Sequence, residues 1–406
     1  MTIVASPFPS TSASSPVALK LTCKQEDLAR GLAIVKNAVL PHSTAPILKN
    51  VLVATDRGRL RLSATTLEIG IQVWLDAQIE QAGTTALPAD LLTKMVSTFP
   101  AGKLTLTIQQ GQTLKLEGAG SLSNIRGTDP KEFPVIPGMD GEQADTPVVD
   151  AGQLKTMIEQ VTFAAANDPS KPVMSSVKLV IAGTSLTLVA ADSFRLAERI
   201  APLAPVAEAQ QAAILVPARS LQELARILPT QGPVQVRVTP RANQVVFHLA
   251  QGEEIDFVTR LIEGTFPSYQ KIIPQTHTTR AIVDTKQLVA AVRRASLFAV
   301  DTKKTVRVSF APGGEGALFG TLTIEADDAD LGNHVSTVEA NITGSSQQIL
   351  QIFFNVKYLE EALFHIETPQ VAVEATLSGR PVLLKPVSDV AYTSLMQTMV
   401  APKATV

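Results

Sequence analysis

The stretch "LIEGTFPSYQKIIP" at residues 261–274 sets an aromatic beside a proline, just after a glycine. The same Phe-Pro pair stands at Phe133 and Pro134, inside "DPKEFPVIPG" at 129–138, 133 residues earlier. In a chain of 406 residues that interval is close to one third, which is the mark of an internal repeat. Proline cannot donate to a strand ladder, so each pair reads as an aromatic anchor and then a stop, at the exit of a domain. Pro137 and Pro274 then open linkers to the next copy.

Working outward, the copies share one plan. The first opens with "KLTCKQEDLARGLAIVKNAV", a short strand and then a helix with Leu28, Leu32, Ile34 and Val35 at helical spacing. Strand-like runs follow in "APILKNVLVATDRGRLRLSATT" and "IGIQVWLDAQI". "ALPADLLTKMVSTFP" is a helix opened by Pro88, and "KLTLTIQQGQTLKLEG" alternates like a hairpin. The second copy repeats the order. Its helix is "DAGQLKTMIEQVTFAA", its strands lie in "VKLVIAGTSLTLVAADSFRLAERIAP", its proline-led helix is "LVPARSLQELARILP" and its hairpin is "VQVRVTPRANQVVFHLA". The third runs from "DTKQLVAAVRRASLFA" through "GTLTIEADDAD", the helix "NVKYLEEALFHI" and the strands "QVAVEATLSG" and "RPVLLKP". The expected division is a disordered leader over 1–18 and domains over 19–138, 139–276 and 277–406. The expected class is α+β, rich in antiparallel strand.

Composition agrees. Hydrophobic residues make up 45%, enough for real cores, while glycine and proline are plentiful and aromatics only 4%, which favours strands over a helical bundle. A net charge of -2 excludes a polycation, so any nucleic acid must be met by a local face. The single cysteine, Cys23, excludes an intrachain disulfide and a cysteine-rich zinc site; it reads as a buried thiol at a strand end. The Ser/Pro/Ala-rich start lacks the parts of a signal peptide, and no apolar run approaches the ~20 residues of a membrane span.

Catalytic signatures are missing from the sequence: no glycine-rich phosphate loop, no His-Glu-x-x-His, no Gly-x-Ser-x-Gly. The acidic run "EADDADLGNH" at 325–334 lacks the alternating ligands of a calcium loop and reads as a solvated turn. No metal or cofactor is expected. Cations recur instead on all six helices. They are Arg30 and Lys36, Lys94, Lys155, Arg219 and Arg226, Arg293 and Arg294 with Lys303 and Lys304 just beyond, and Lys357. Any one helix would read as an ordinary solvated face; repetition lets a threefold chain gather them on one surface.

Several strings together resemble the bacterial DNA polymerase III β subunit family, the sliding clamps: "APILKNVLV" (45–53), "AADSFRLA" (190–197), "ILVPARSLQELARIL" (214–228), "LIEGTFPSYQKIIP" and "FNVKYLEEAL" (354–363). The resemblance covers roughly 20–400. It implies three DNA-clamp domains per chain and a head-to-tail dimeric ring, with helices lining a central hole and sheets outside. The implied role is a non-enzymatic, cytoplasmic processivity factor that encircles duplex DNA. Besides the helix cations, His42 and Lys171 join the implied DNA-facing set. Ile125, Leu297 and Phe298 match the contact between chains.

The resemblance also implies an apolar pocket for short peptides of the polymerase III α subunit, the clamp loader, other polymerases and repair proteins. The matching positions are Met174, Ala191, Asp192, Ser193, Phe194, Arg195, Leu196, Pro267, Lys271, Ile272, Asn355, Tyr358, Gly379, Pro381, Leu395, Met396, Gln397, Thr398 and Met399. Arg195 would orient the pocket or bond the peptide backbone. Two places depart from the family pattern. Ser193 stands where glycine is usual, before Phe194, and the closing run is Gln397-Thr398-Met399-Val400 rather than Met-Pro-Met/Val-Arg. The competing readings are a repeat scaffold that binds proteins but not DNA, and an enzyme with a site at a domain seam, for which no convergent acid, base or nucleophile set is found.

Overall fold

A computed structural model describes residues 19–108, 110–139, 146–203, 212–241, 243–250, 252–300, 304–313, 319–344 and 349–400. The expected leader (1–18) and Lys303 lie outside these described residues. The chain divides into two compact units, Met1–Gly141 with Val246–Thr259, and Glu142–Val245 with Arg260–Val406.

In the first unit, strand Leu19–Lys24 runs into helix α1, Gln25–Val35. Leu28, Leu32 and Val35 are buried along one stripe, as their spacing requires. Gly31 completes that stripe because the backbone comes close: a Cβ there would lie 2.8 Å from Leu75 Cδ1. Helix α2, Ala89–Thr98, starts directly after Pro88, which suits proline's missing N–H. One sheet orders Gln78–Gln81, Leu19–Lys24, Lys103–Ile108, Thr113–Gly118 and Ser121–Arg126, so the last strand is an edge. The other runs from 254–259 through Ile69–Leu75, Arg59–Thr65 and Asn50–Asp56 to Thr84–Pro88. The pairing of Phe257 with Ile71 and its neighbours is what draws 246–259 into this unit.

A buried polar group fastens the segment after Phe133 to that second sheet. His248 Nδ1 and Asp256 Oδ1 are 2.6 Å apart, at 5% and 2% exposure, and Asp256 Oδ2 accepts the Met139 N–H at 3.0 Å. Gln72 Nε2 donates to the Pro137 carbonyl at 3.3 Å. Every buried lone pair in this group that meets a donor avoids a desolvation cost, so the proline-rich linker has a fixed path.

The second unit holds α3 (Ala151–Thr162), α4 (Ala218–Ile227), α5 (Thr285–Ser296) and α6 (Val356–Phe364). Asp150, Asp284 and Asn355 cap α3, α5 and α6 by accepting N–H bonds from Gln153, Gln287 and Lys357. Pro217 precedes α4 as Pro88 precedes α2. Twelve strands form one sheet. Between its fourth and fifth strands, Arg195–Pro202 pairs with Tyr392–Met396 antiparallel, Arg195 opposite Met396 and Leu196 opposite Leu395. Elements expected in separate domains are therefore hydrogen-bonded neighbours. Three strands of the third copy, Thr305–Ala311, Gly332–Gly344 and Leu350–Asn355, were not singled out from the sequence.

The acidic run forms a hairpin turn in which Asp328 Oδ1 accepts the N–H groups of Asp330 and Leu331, both at 3.0 Å. Cys23 is buried at the end of its strand, and burial, aided by nearby Asp27, pushes its thiol up to about 12. Among the described residues no helix is long and apolar enough to cross a membrane, and no group of three His, Cys, Asp or Glu side chains could hold a metal ion.

Candidate functional site

The joint between 195–202 and 392–396 carries an apolar cluster on one side. Ala191, Leu196, Leu215, Phe266, Tyr269, Leu383 and Leu395 are buried together, with Val173, Met174, Ile262 and Ile273 packed against them. Phe266 meets Tyr269 edge to face, ring centres 6.2 Å apart. The Tyr269 hydroxyl donates to Glu198 Oε1 at 2.6 Å; burial, then that carboxylate, raise its pKa well above the ordinary phenol value. The Phe-Pro motif that opened the sequence reading thus anchors the cluster through its Phe and through Tyr269, a residue not among the expected pocket positions.

Beside the cluster lies an open cleft of about 180 Å³, lined by Ala166, Asn167, Asp168, Lys171, Met174, Asp192, Ser193, Phe194 and Tyr358. Phe194 and Tyr358 stack with centroids 6.0 Å apart and planes 25° apart. Phe194 is 53% exposed, so this is an apolar surface offered to solvent. Beneath it Arg195 is buried. Its Nε donates to Asp192 Oδ2 at 3.1 Å, Nη1 donates to Glu361 Oε2, and its guanidinium sits 4.5 Å from the Tyr358 ring centre and 5.5 Å from that of Phe163. With a side chain 6% exposed and two carboxylates already engaged, Arg195 positions the cleft's walls and has little surface for a ligand. Asp192 also accepts the N–H groups of Phe194 and Arg195 at 2.7 and 2.9 Å, which shapes the Ser193–Phe194 turn. His365 stacks on Phe163 at 4.7 Å, and burial lowers its pKa.

The closing run is held by backbone bonds. Gln397 N–H donates to the Phe194 carbonyl at 2.7 Å, and Met399 N–H to the Phe353 carbonyl at 2.7 Å. Met396 and Thr398 are buried, and Gln397 Nε2 reaches the Gly379 carbonyl at 3.4 Å. Asn355 serves α6 as its cap, accepting from Lys357 and Tyr358 N–H. Pro267, Lys271 and Ile272 are exposed beside the cluster, and Pro381 is half-buried. The structure therefore brings Met174, Asp192, Ser193, Phe194 and Tyr358 to the cleft and Ala191, Leu196 and Leu395 to the cluster. Lys171, expected on the DNA-facing side, lines the cleft instead, 3.8 Å from Asp168. Phe163, Glu361 and His365 were not foreseen; no local motif marks them, because they meet Arg195 only through the tertiary fold.

Arg30, Lys36, Lys94, Arg219, Arg226, Arg293, Arg294, Lys304, Lys357 and His42 are exposed, and Lys155 is half-buried. Many carry acid partners. Arg30 bonds Asp27 and Glu253, Arg226 bonds Glu223, and Lys357 lies 3.8 Å from Glu361. Lys94, then Lys36, hold the Asp90 carboxyl below the usual carboxylate range.

The expected contact between chains has two parts. Ile125 is 3% exposed and faces Leu114 across the ladder, so it belongs to the first unit's own core; Leu122, at 56%, is the exposed apolar residue of that edge strand. In the second unit Leu297 is 68% exposed, Phe298 stacks on His334 at 5.7 Å, and Leu331 and Val335 are exposed. Among the described residues, 332–338 pair with 322–328 only, leaving their other edge open.

Comparisons with known proteins match this arrangement along the whole described chain. Family models of the DNA polymerase III beta subunit match in chain order: the N-terminal domain over 19–137, the central domain over 148–268 and the C-terminal domain over 270–400. A beta sliding clamp of Synechocystis is 30% identical over 93% of this chain and 98% of its own, and one of Synechococcus elongatus is 31% identical over the same shares. The crystal structure of the DNA polymerase sliding clamp from Bacillus subtilis superposes with a TM-score of 0.86 at 26% identity, covering 95% of this chain and all of that one. The chain belongs to the DNA polymerase III beta subunit family, the sliding clamps, which are non-catalytic processivity factors.

Proposed function

We propose that two copies of this chain close head to tail into a ring that encircles duplex DNA and tethers replication proteins through the cleft beside Phe194. The carrying observation is that all three clamp domains are present in order, with a cation on every one of the six helices. Such cations meet phosphates without reading bases, which suits a ring that must move along any sequence. The open edges at 121–126 in one unit and 332–338 in the other support pairing between chains, since an unpaired edge is a template for another strand.

The cleft suits a short peptide with apolar anchors. Phe194, Tyr358 and Met174 give it aromatic and thioether walls, and the adjoining cluster supplies depth. Its occupants are peptide segments of the polymerase III α subunit, the clamp loader, other polymerases and repair proteins, and the setting is the cytoplasm. Retention on circular DNA tests the reading. Protein loaded on a closed circle stays bound through gel filtration and is lost when the circle is linearised. Equal loss from both would mean a scaffold that does not encircle DNA.

A further inference from the structure

Two helix pairs place a carboxylate directly on the cations assigned to DNA. In the first unit Asp90, on α2, lies 2.7 Å from Lys94 one turn along and 3.6 Å from Lys36 just past the end of α1. In the second unit Glu360, on α6, lies 3.6 Å from Arg293 on α5. Four of these side chains are exposed and Glu360 is only half-buried, so these pairs are weak and exchange freely with solvent ions. A phosphate oxygen approaching Lys36, Lys94 or Arg293 meets a cation whose N–H groups and charge are already partly committed.

We propose that Asp90 and Glu360 are built-in competitors for the DNA backbone, holding the chain's grip on phosphate below what its cations alone would give; this rests on the DNA-facing role proposed above. Each carboxylate takes back its cation when a phosphate leaves. The barrier to breaking a contact falls accordingly, because the cation is never left without a partner. Net attraction then comes from cations with no carboxylate within reach among the described residues, such as Lys155, Arg219 and Lys304.

The test compares wild type, the D90N/E360Q variant and a charge-matched control, E80Q/E325Q, whose carboxylates sit on strands beside Lys20 and Arg307. Binding to a linear duplex is measured by fluorescence anisotropy across a salt series, and diffusion of the loaded protein is followed on single DNA molecules. Sedimentation checks that each variant keeps the wild-type assembly. The expected result is that D90N/E360Q alone binds the linear duplex about threefold or more tightly, with a steeper salt slope, and slides more slowly. Unchanged affinity, or equal tightening in the control, overturns the proposal. Failure of wild type to be retained on a closed circle overturns the encirclement reading instead, and is seen before any variant is compared.

Discussion

The Arg195 guanidinium lies 4.5 Å from the centre of the Tyr358 ring, and its Nη1 donates to Glu361, one turn further along the same helix. A cation held between a carboxylate and a ring face is fixed in both direction and depth. Phe194 then has a rigid ring to lie on.

Removing that ring should therefore weaken peptide capture. Tyr358→Ala is expected to reduce affinity for a Gln-Leu-x-Leu-Phe-type peptide about tenfold, by loss of the aromatic wall and of Arg195's support. Arg195→Ala combined with Met399→Ala should act in the same direction. Titration calorimetry reads both, and wild-type affinity in either variant would remove those residues from the site.

Leu297 is an exposed leucine just past the last turn of α5, near the stacked Phe298 and His334. A carboxylate there would have to be desolvated if a second chain covers it. Leu297→Asp should give monomers in sedimentation velocity runs where wild type gives dimers. A dimer of unchanged stability would place the contact elsewhere.

Asp256 is nearly sealed from solvent and serves both His248 and the Met139 N–H. Asp256→Ala strands two buried polar groups at once, and a loss of about 3 kcal/mol is expected in denaturant unfolding of the full chain. Asp256→Asn, which keeps an acceptor, should lose less. Equal losses would mean that packing rather than hydrogen bonding sets the cost.

Asp150 caps α3, and its carboxyl is held below the ordinary value by N–H bonds from Gly232 first and Gln153 second. A group whose pKa is lower in the folded state stabilises fully above its unfolded value, near 4, and loses that contribution as pH falls through the folded value. Stability measured from pH 7 downward should drop more steeply below pH ~4 in wild type than in Asp150→Asn, which keeps the cap without the charge. Parallel curves would show that the cap is indifferent to ionisation.

Much of the fold was legible because its signals are local. Pro88 and Pro217 mark helix starts, and the alternation over 103–118 is a hairpin. The cleft was legible only in part. Asp192, Phe194 and Arg195 are contiguous and form a recognisable string, yet Glu361 and Phe163 meet Arg195 from distant parts of the chain. Ile125 shows the same limit from the other side. Its strand sits at a sheet edge, but strand residues alternate in facing, and which face turns inward is settled by the sheet it packs in.

The register between Arg195–Pro202 and Tyr392–Met396 has a consequence during synthesis. A long stretch of chain leaves the ribosome after Arg195 before Met396 exists to pair with it, and closing so large a loop is slow. A nascent chain with its first two repeats complete still lacks the strand that fixes the Phe194 turn through Gln397. The Phe194 turn is thereby completed only after residues 392–397 have emerged and docked, so this wall of the cleft is among the last parts of the second unit to take shape.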